Sequence, residues 1–166
     1  MSTDALVLLK EDHTEIRQLF REFEGAGGNA LKAKGALVDQ ILKRLTVHTY
    51  LENEVLYPGV RELLPEVEDH ILESYEEHHV ADVLCMELAA MSPDDERYTA
   101  KTMVLIESVR HHMDEEEQEW FPQVRAGLSR SQLQDMGARM LELRPKAPTT
   151  PTQPSALKKA LQAVLD

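Results

Sequence analysis

The sequence predicts an all-α fold: an up-down-up-down four-helix bundle with a short C-terminal helical extension. Three observations lead there. Apolar residues recur at helical spacing in four long segments, no alternating β pattern occurs, and one motif returns after 64 residues. In that repeat His48-Thr-Tyr-Leu-Glu52, followed by Tyr57-Pro58, is matched by His112-Met-Asp-Glu-Glu116, followed by Phe121-Pro122. A second echo, at 65 residues, pairs Glu11-Asp-His13 with Glu76-Glu-His78. The chain therefore reads as two helical hairpins, and four long helices with short connections close most simply as an antiparallel bundle.

The elements follow in order. A first helix is expected over 4–24, capped by Thr3 or Asp4 and ended by Gly25-Ala-Gly-Gly28, whose glycines tolerate a left-handed terminal residue. A second runs over 30–57 and is stopped by Pro58-Gly59, and a third over 66–91 follows an irregular stretch with Pro65. Ser92-Pro93 reads as a helix start, with a Ser cap and Pro at the first helical position. That fourth helix runs to about Phe121, where Pro122 ends or kinks it. Residues 1–127 form the bundle, and Ser129 or Ser131 caps a short helix within 128–143. The linker 144–155 carries four prolines in eleven residues, and 156–166 is a last amphipathic helix with Leu157, Leu161 and Leu165 on one stripe. That stripe either docks on the bundle or pairs with a second subunit.

Bulk composition narrows the function. A net charge of −12 argues against nucleic acid and against anionic membranes, both of which need a basic face. No segment approaches the roughly 20 apolar residues of a bilayer span. The N-terminus runs straight into a helix pattern with no secretion signal, and a single cysteine, Cys85, fits a reducing cytoplasm; a cytoplasmic protein is expected. Cys85 falls on a helix stripe and reads as a small core residue.

The informative residues are polar groups on stripes that should be apolar. His13 lies in the stripe Leu6, Leu9, Ile16, Phe20, Phe23, and His48 and Glu52 in Val38, Ile41, Leu45, Val55. His78 lies in Ile71, Ser74, Ala81, Cys85, Leu88, and His112 and Glu116 follow Leu105 and Val109. A buried carboxylate costs several kcal/mol unless it is paired or ligated. Four imidazoles and two carboxylates in register point to a metal site, and to two metals. A spacing of four puts His48 beside Glu52, and His112 beside Glu116, on one helix face. Such a carboxylate can bridge two ions roughly 3.5–4 Å apart, close enough to share one small ligand. Imidazole and carboxylate without thiolate suit iron, manganese or zinc. Six side chains cannot saturate two six-coordinate ions, so positions remain for something exogenous.

These residues resemble the hemerythrin-like, or HHE cation-binding, domains over about residues 4–126. The pattern is a His on the first helix, His-x-x-x-Glu with an aromatic-Pro on the second, Glu-His on the third, and His-x-x-x-Glu on the fourth. The resemblance implies a non-haem di-iron centre, two iron ions with an oxo or hydroxo bridge, held by His13, His48, Glu52, His78, His112 and Glu116. Oxygen-carrying members have His-x-x-x-His on the third helix, and here Ser74 stands four residues before His78. That gap argues against reversible oxygen transport and for members that sense or store iron and oxygen or consume peroxide.

Other residues have weaker claims. Tyr57 is about 140° around an ideal helix from Glu52 and reads mainly as a packed aromatic, although a loosened turn could swing its phenol to an iron. Glu117 is the fallback for Glu116, Tyr75 with His79 shares the spacing of a ligand pair, and Asp82 could accept from a ligand N–H but reads mainly as a surface ion-pair partner. His70, His79 and His111 are expected to be exposed. The favoured function is a di-iron protein acting on dioxygen or hydrogen peroxide, with catalase-like disproportionation as its activity. The alternatives are an oxygen- or iron-sensing or storage module, and a metal-free helical interaction module.

Overall fold

The computed structural model describes residues 3–151, and these are helical with no strand among them. Helices α1 (Ala5–Gly25), α2 (Leu31–Leu51), α4 (Glu68–Ala89) and α5 (Tyr98–Glu115) form the bundle, with α1 packed on α2 and α5, and α4 on the same two. Helix α3 (Tyr57–Leu63) extends α2, α6 (Phe121–Gly127) extends α5, and α7 (Arg130–Leu143) lies against α1. Asp4 starts α1, its Oδ1 accepting the amides of Leu6 at 2.9 Å and Val7 at 3.3 Å, and Arg125 forks onto the same carboxylate. Ser129 caps α7 in a reciprocal capping box with Gln132. No described helix is long and apolar enough to cross a membrane. The expected helix 156–166 and the end of the linker lie outside the described residues.

Three local expectations are corrected. The glycine run ends α1 without a left-handed residue, since no described glycine has positive φ and the cap, Ala26, is extended. Ser92-Pro93 does not start a helix: the Asp95 amide bonds the Ser92 carbonyl, the Tyr98 amide bonds that of Asp95, and α5 begins only at Tyr98. Asp95 causes the delay by taking the Arg97 amide with its own side chain at 2.9 Å, which holds a turn. Pro58 and Pro122 do not end their helices either. Each follows a π turn, Glu52–Leu56 and Glu116–Trp120, in which the Tyr57 and Phe121 amides reach back five residues to the carbonyls of Glu52 and Glu116. Each proline then sits in the first turn of the continuing helix, where its missing N–H costs little.

The interior is two apolar clusters with a polar layer between them. One holds Leu6, Leu9, Leu51, Tyr57, Ile71, Trp120, Phe121 and Met140. The other holds Ile16, Phe20, Phe23, Ile41, Leu45, Cys85, Leu105 and Met113. Cys85 is a core residue as expected, its thiol pushed up by burial and then by Asp82. Of the described glycines, Gly137 of α7 is the most closely approached: an added Cβ would meet the Thr3 carbonyl oxygen at 1.3 Å. Only glycine lets the N-terminus pass over α7 there.

Candidate metal centre

Each long helix carries its polar residue between the two apolar clusters. His13 lies between Leu9 and Ile16 on α1, His48 between Leu45 and Leu51 on α2, His78 after Ser74 on α4, and His112 near the end of α5. Glu52 and Glu116 open the two π turns. All six are buried, none more than 5% exposed.

The six side chains converge as two half-sites sharing two carboxylates. In one, His13 Nε2 and His48 Nε2 are 3.2 Å apart; in the other, His78 Nε2 and His112 Nε2 are 3.0 Å apart. Glu52 divides between them: Oε1 is 3.0 Å from His48 Nε2, and Oε2 is 3.0 Å from His78 Nε2. Glu116 does the same, with Oε2 3.2 Å from His13 Nε2 and Oε1 3.5 Å from His112 Nε2. Donor atoms of His13, His48, Glu52 and Glu116 could hold one ion, and those of Glu52, His78 and His112 another.

The outward nitrogens explain why the inward ones are free. His13 Nδ1 donates to Glu117 Oε1 at 2.7 Å, and His48 Nδ1 to Asp12 Oδ2 at 3.2 Å. His78 Nδ1 donates to Asn53 Oδ1 at 2.9 Å, and His112 Nδ1 to Glu77 Oε1 at 3.0 Å. A proton committed to Nδ1 leaves the Nε2 lone pair facing the centre, the tautomer that metal ligation requires. Of these acceptors the sequence suggested only Glu117, and in another role. Asp82 does not serve His78; the neutral Asn53 does. Asp12, Asn53 and Glu77 each sit one residue from a ligand position, and only the packing of neighbouring helices decides whom they meet.

The donor set fits a cation. Four lone-pair nitrogens and four carboxylate oxygens face one another with a single hydroxyl, that of Tyr57, among them, and Glu52 Oε1 and Glu116 Oε2 have no hydrogen bond although histidine nitrogens lie at ion-pair distance. Protons are the competing cations. Burial works against charging His13, yet Glu116, Glu117 and Glu52 outweigh it and raise its pKa to about 10. His48 and His112 are also raised against burial, first by the charges of Glu52 and Glu116 respectively. His78 is lowered, because burial dominates there. Glu52 is held well below the usual carboxylate range despite burial, chiefly by His48.

Tyr57 belongs to the site. The π turn brings it onto the Glu52 face, and its Oη is 2.7 Å from Glu116 Oε1, 3.2 Å from Glu52 Oε2, 3.1 Å from His78 Nε2 and 3.4 Å from His112 Nε2. Burial first, then Glu116 and Glu52, keep the phenol protonated well above its ordinary range. Ser74, one turn before His78 on α4, is buried as well. The repeat partner of Tyr57, Phe121, carries no oxygen and stacks on His13 with centroids 6.1 Å apart. Glu117 turns outward and Glu116 inward, and His78 rather than His79 faces the centre. His111 is exposed as expected, whereas His70 and His79 are partly buried.

Comparison with known proteins gives the family and the fold. Residues 4–124 match the family described as hemerythrin HHE cation binding domain. A crystal structure titled as a hemerythrin HHE cation binding domain-containing protein, the Rv2633c homolog from Mycobacterium kansasii, shares the fold, with a TM-score of 0.69, 22% identity and 86% of each chain covered. A protein of Nostoc sp. strain PCC 7120 named "DNA nickase" is 30% identical over 125 residues, 75% of this chain. The chain spans about a third, 34%, of that relative's length.

Proposed function

The chain belongs to the hemerythrin HHE cation-binding domain family, and on that premise we propose that its buried layer is a two-iron centre acting on dioxygen or hydrogen peroxide. The favoured activity is peroxide disproportionation. One observation carries the two-metal reading: Glu52 and Glu116 each divide their oxygens between two histidine pairs. A pair of non-haem irons supplies the electron exchange that peroxide chemistry needs.

The chain's own residues do the rest. The four Nδ1–H anchors hold the imidazoles in the ligating tautomer. The two carboxylates offset the charge of the cations where water cannot, and Trp120, Phe121 and the apolar clusters keep the layer dry. Tyr57 holds a proton at Oη against Glu116 Oε1, placed to exchange it with a bound oxidant. One half has His13, His48, Glu52 and Glu116 within reach and the other Glu52, His78, His112 and the Tyr57 phenol, so neither six-coordinate ion would be saturated and room is left for a small ligand. The nickase activity of the Nostoc relative is not carried over, because an acidic chain of net charge −12 repels phosphate.

The test is to count iron in the purified protein and to follow oxygen evolution from added peroxide. About two irons per chain and one dioxygen per two peroxides consumed are expected. Near-zero metal would remove the two-iron reading, and a long-lived oxygenated adduct with no peroxide consumption would replace the enzyme by a carrier.

A further inference from the structure

The inner face of the centre is nearly symmetrical, but its outer supports are not. On the His13/His48 side both outer carboxylates are gripped by arginine. Arg17 Nη1 reaches Glu117 Oε1 at 3.0 Å. Arg144 sets Nη1 on Asp12 Oδ1 and Nη2 on Asp12 Oδ2, each at 3.0 Å, a two-pronged fork. On the other side His78 leans on the neutral Asn53 amide and His112 on Glu77. Arg144 is the one support that comes from beyond the bundle. It opens the 3₁₀ turn Arg144–Lys146 after α7 and meets Asp12 across 132 residues of chain. Asp12 Oδ2 in turn accepts the His48 Nδ1–H.

We infer that Arg144 is a positioning residue of the metal layer: its fork fixes the Asp12 carboxylate, which fixes the His48 ring with Nε2 inward. The C-terminal turn thereby sets how tightly the His13/His48 half holds its cation. The role of that half rests on the two-iron reading, whereas the Arg144–Asp12–His48 line stands without it. A guanidinium is needed because its planar fork immobilises both oxygens; an ammonium is a point charge that leaves the carboxylate free to turn. A cavity of about 510 Å³, lined by Asp12, Lys43, Arg44, Val47, Arg144 and Thr149 among others, gives water a route to the carboxylate once the fork is gone.

Arg144→Ala, Arg144→Lys, Asp12→Asn and the double variant Asp12→Asn/Arg144→Ala test this. Arg125→Ala is the control, since it breaks another arginine–aspartate fork that leads to no histidine. In the iron-loaded protein, release of ferrous iron to a chelator should show one of the two ions leaving on the order of tenfold faster in Arg144→Ala, as loss of outer support typically gives. Arg144→Lys should restore little of the difference, and the double variant should release iron no faster than Asp12→Asn alone. Unchanged release in Arg144→Ala, or additive effects in the double variant, would overturn the inference. The metal-free protein gives an independent arm by proton NMR. The His48 Nδ1–H should be slow to exchange in the unaltered chain and in Arg125→Ala, and lost in Arg144→Ala; its persistence there would also overturn the inference. A chain that binds no iron would sink the two-iron reading and leave this second arm to decide.

Discussion

Replacing Tyr57 by Phe removes one oxygen from the most crowded polar point of the molecule. The phenyl ring keeps its place against Trp120 and Tyr75, whose centroids lie 5.8 and 5.2 Å away, so little packing is lost. What goes is the hydrogen bond of 2.7 Å to Glu116 Oε1, in a layer where the carboxylate is fully buried and water cannot substitute. Leaving a buried acceptor without its donor costs about 1–3 kcal/mol, and the charge on Glu116 argues for about 2 in the metal-free protein. In a chain of this length each kcal/mol is worth roughly 2–4 °C, so the metal-free melting temperature should fall by about 6 °C. The ferric protein should also lose any visible phenolate-to-iron absorption, with its iron count reduced by less than one per chain. A metal-free melt within about 1 °C of the unaltered chain would refute the hydrogen-bonding argument. A ferric spectrum unchanged in the variant would refute contact between Tyr57 and the metal.

Further outcomes follow from the same physics. His13 is raised from 6.5 to about 10, so its contribution to the metal-free fold is fully present below pH 6.5 and is lost as pH rises through about 10. Melting of the metal-free protein should therefore weaken from neutral to alkaline pH, while acid should release metal from the loaded protein because protons then compete for Nε2; parallel pH curves for the two forms would contradict this. Asp82 is raised by burial from 3.8 to about 6, so its charge penalises the fold above pH 6 and not below pH 4. Asp82→Asn should accordingly stabilise at pH 7 by about 1 kcal/mol in a denaturant titration, since partial exposure screens most of the full shift, and should do nothing at pH 4. Gly137→Ala drives a Cβ into the Thr3 carbonyl and should cost about 2–3 kcal/mol, seen as a lower denaturant midpoint with unchanged iron content.

Much of this molecule can be read from spacing alone. The four stripes are what bury His13, His48, Glu52, His78, His112 and Glu116, and the 64-residue echo is what makes the two half-sites alike. Tyr57 shows where the reading weakens. Projected on an ideal helix it points away from Glu52, and only a π turn brings it back. The signal was present, an aromatic five residues after each glutamate, but periodicity of 3.6 cannot express a locally wider helix. The stop at Pro58, and the ending of the helix at Pro122, fail for the same reason. Asp12, Asn53 and Glu77 fail for another: each is adjacent in sequence to one ligand position yet supports a histidine on a different helix, and such pairings arise only from helix–helix register.

The polar layer has a mechanical consequence. A bundle with one continuous apolar interior melts as a single unit, but this interior is two clusters in tandem, joined at mid-height by charges. Those charges bind the four long helices together through whatever cation stands among them. Without a metal ion that is only the protons on His13, His48 and His112, whose hold on Glu52 and Glu116 weakens as pH rises and lets the two clusters open more independently. Occupancy of the centre thus sets the size of the cooperative unit, and with it whether fraying, exchange or proteolytic attack at one end is felt at the other.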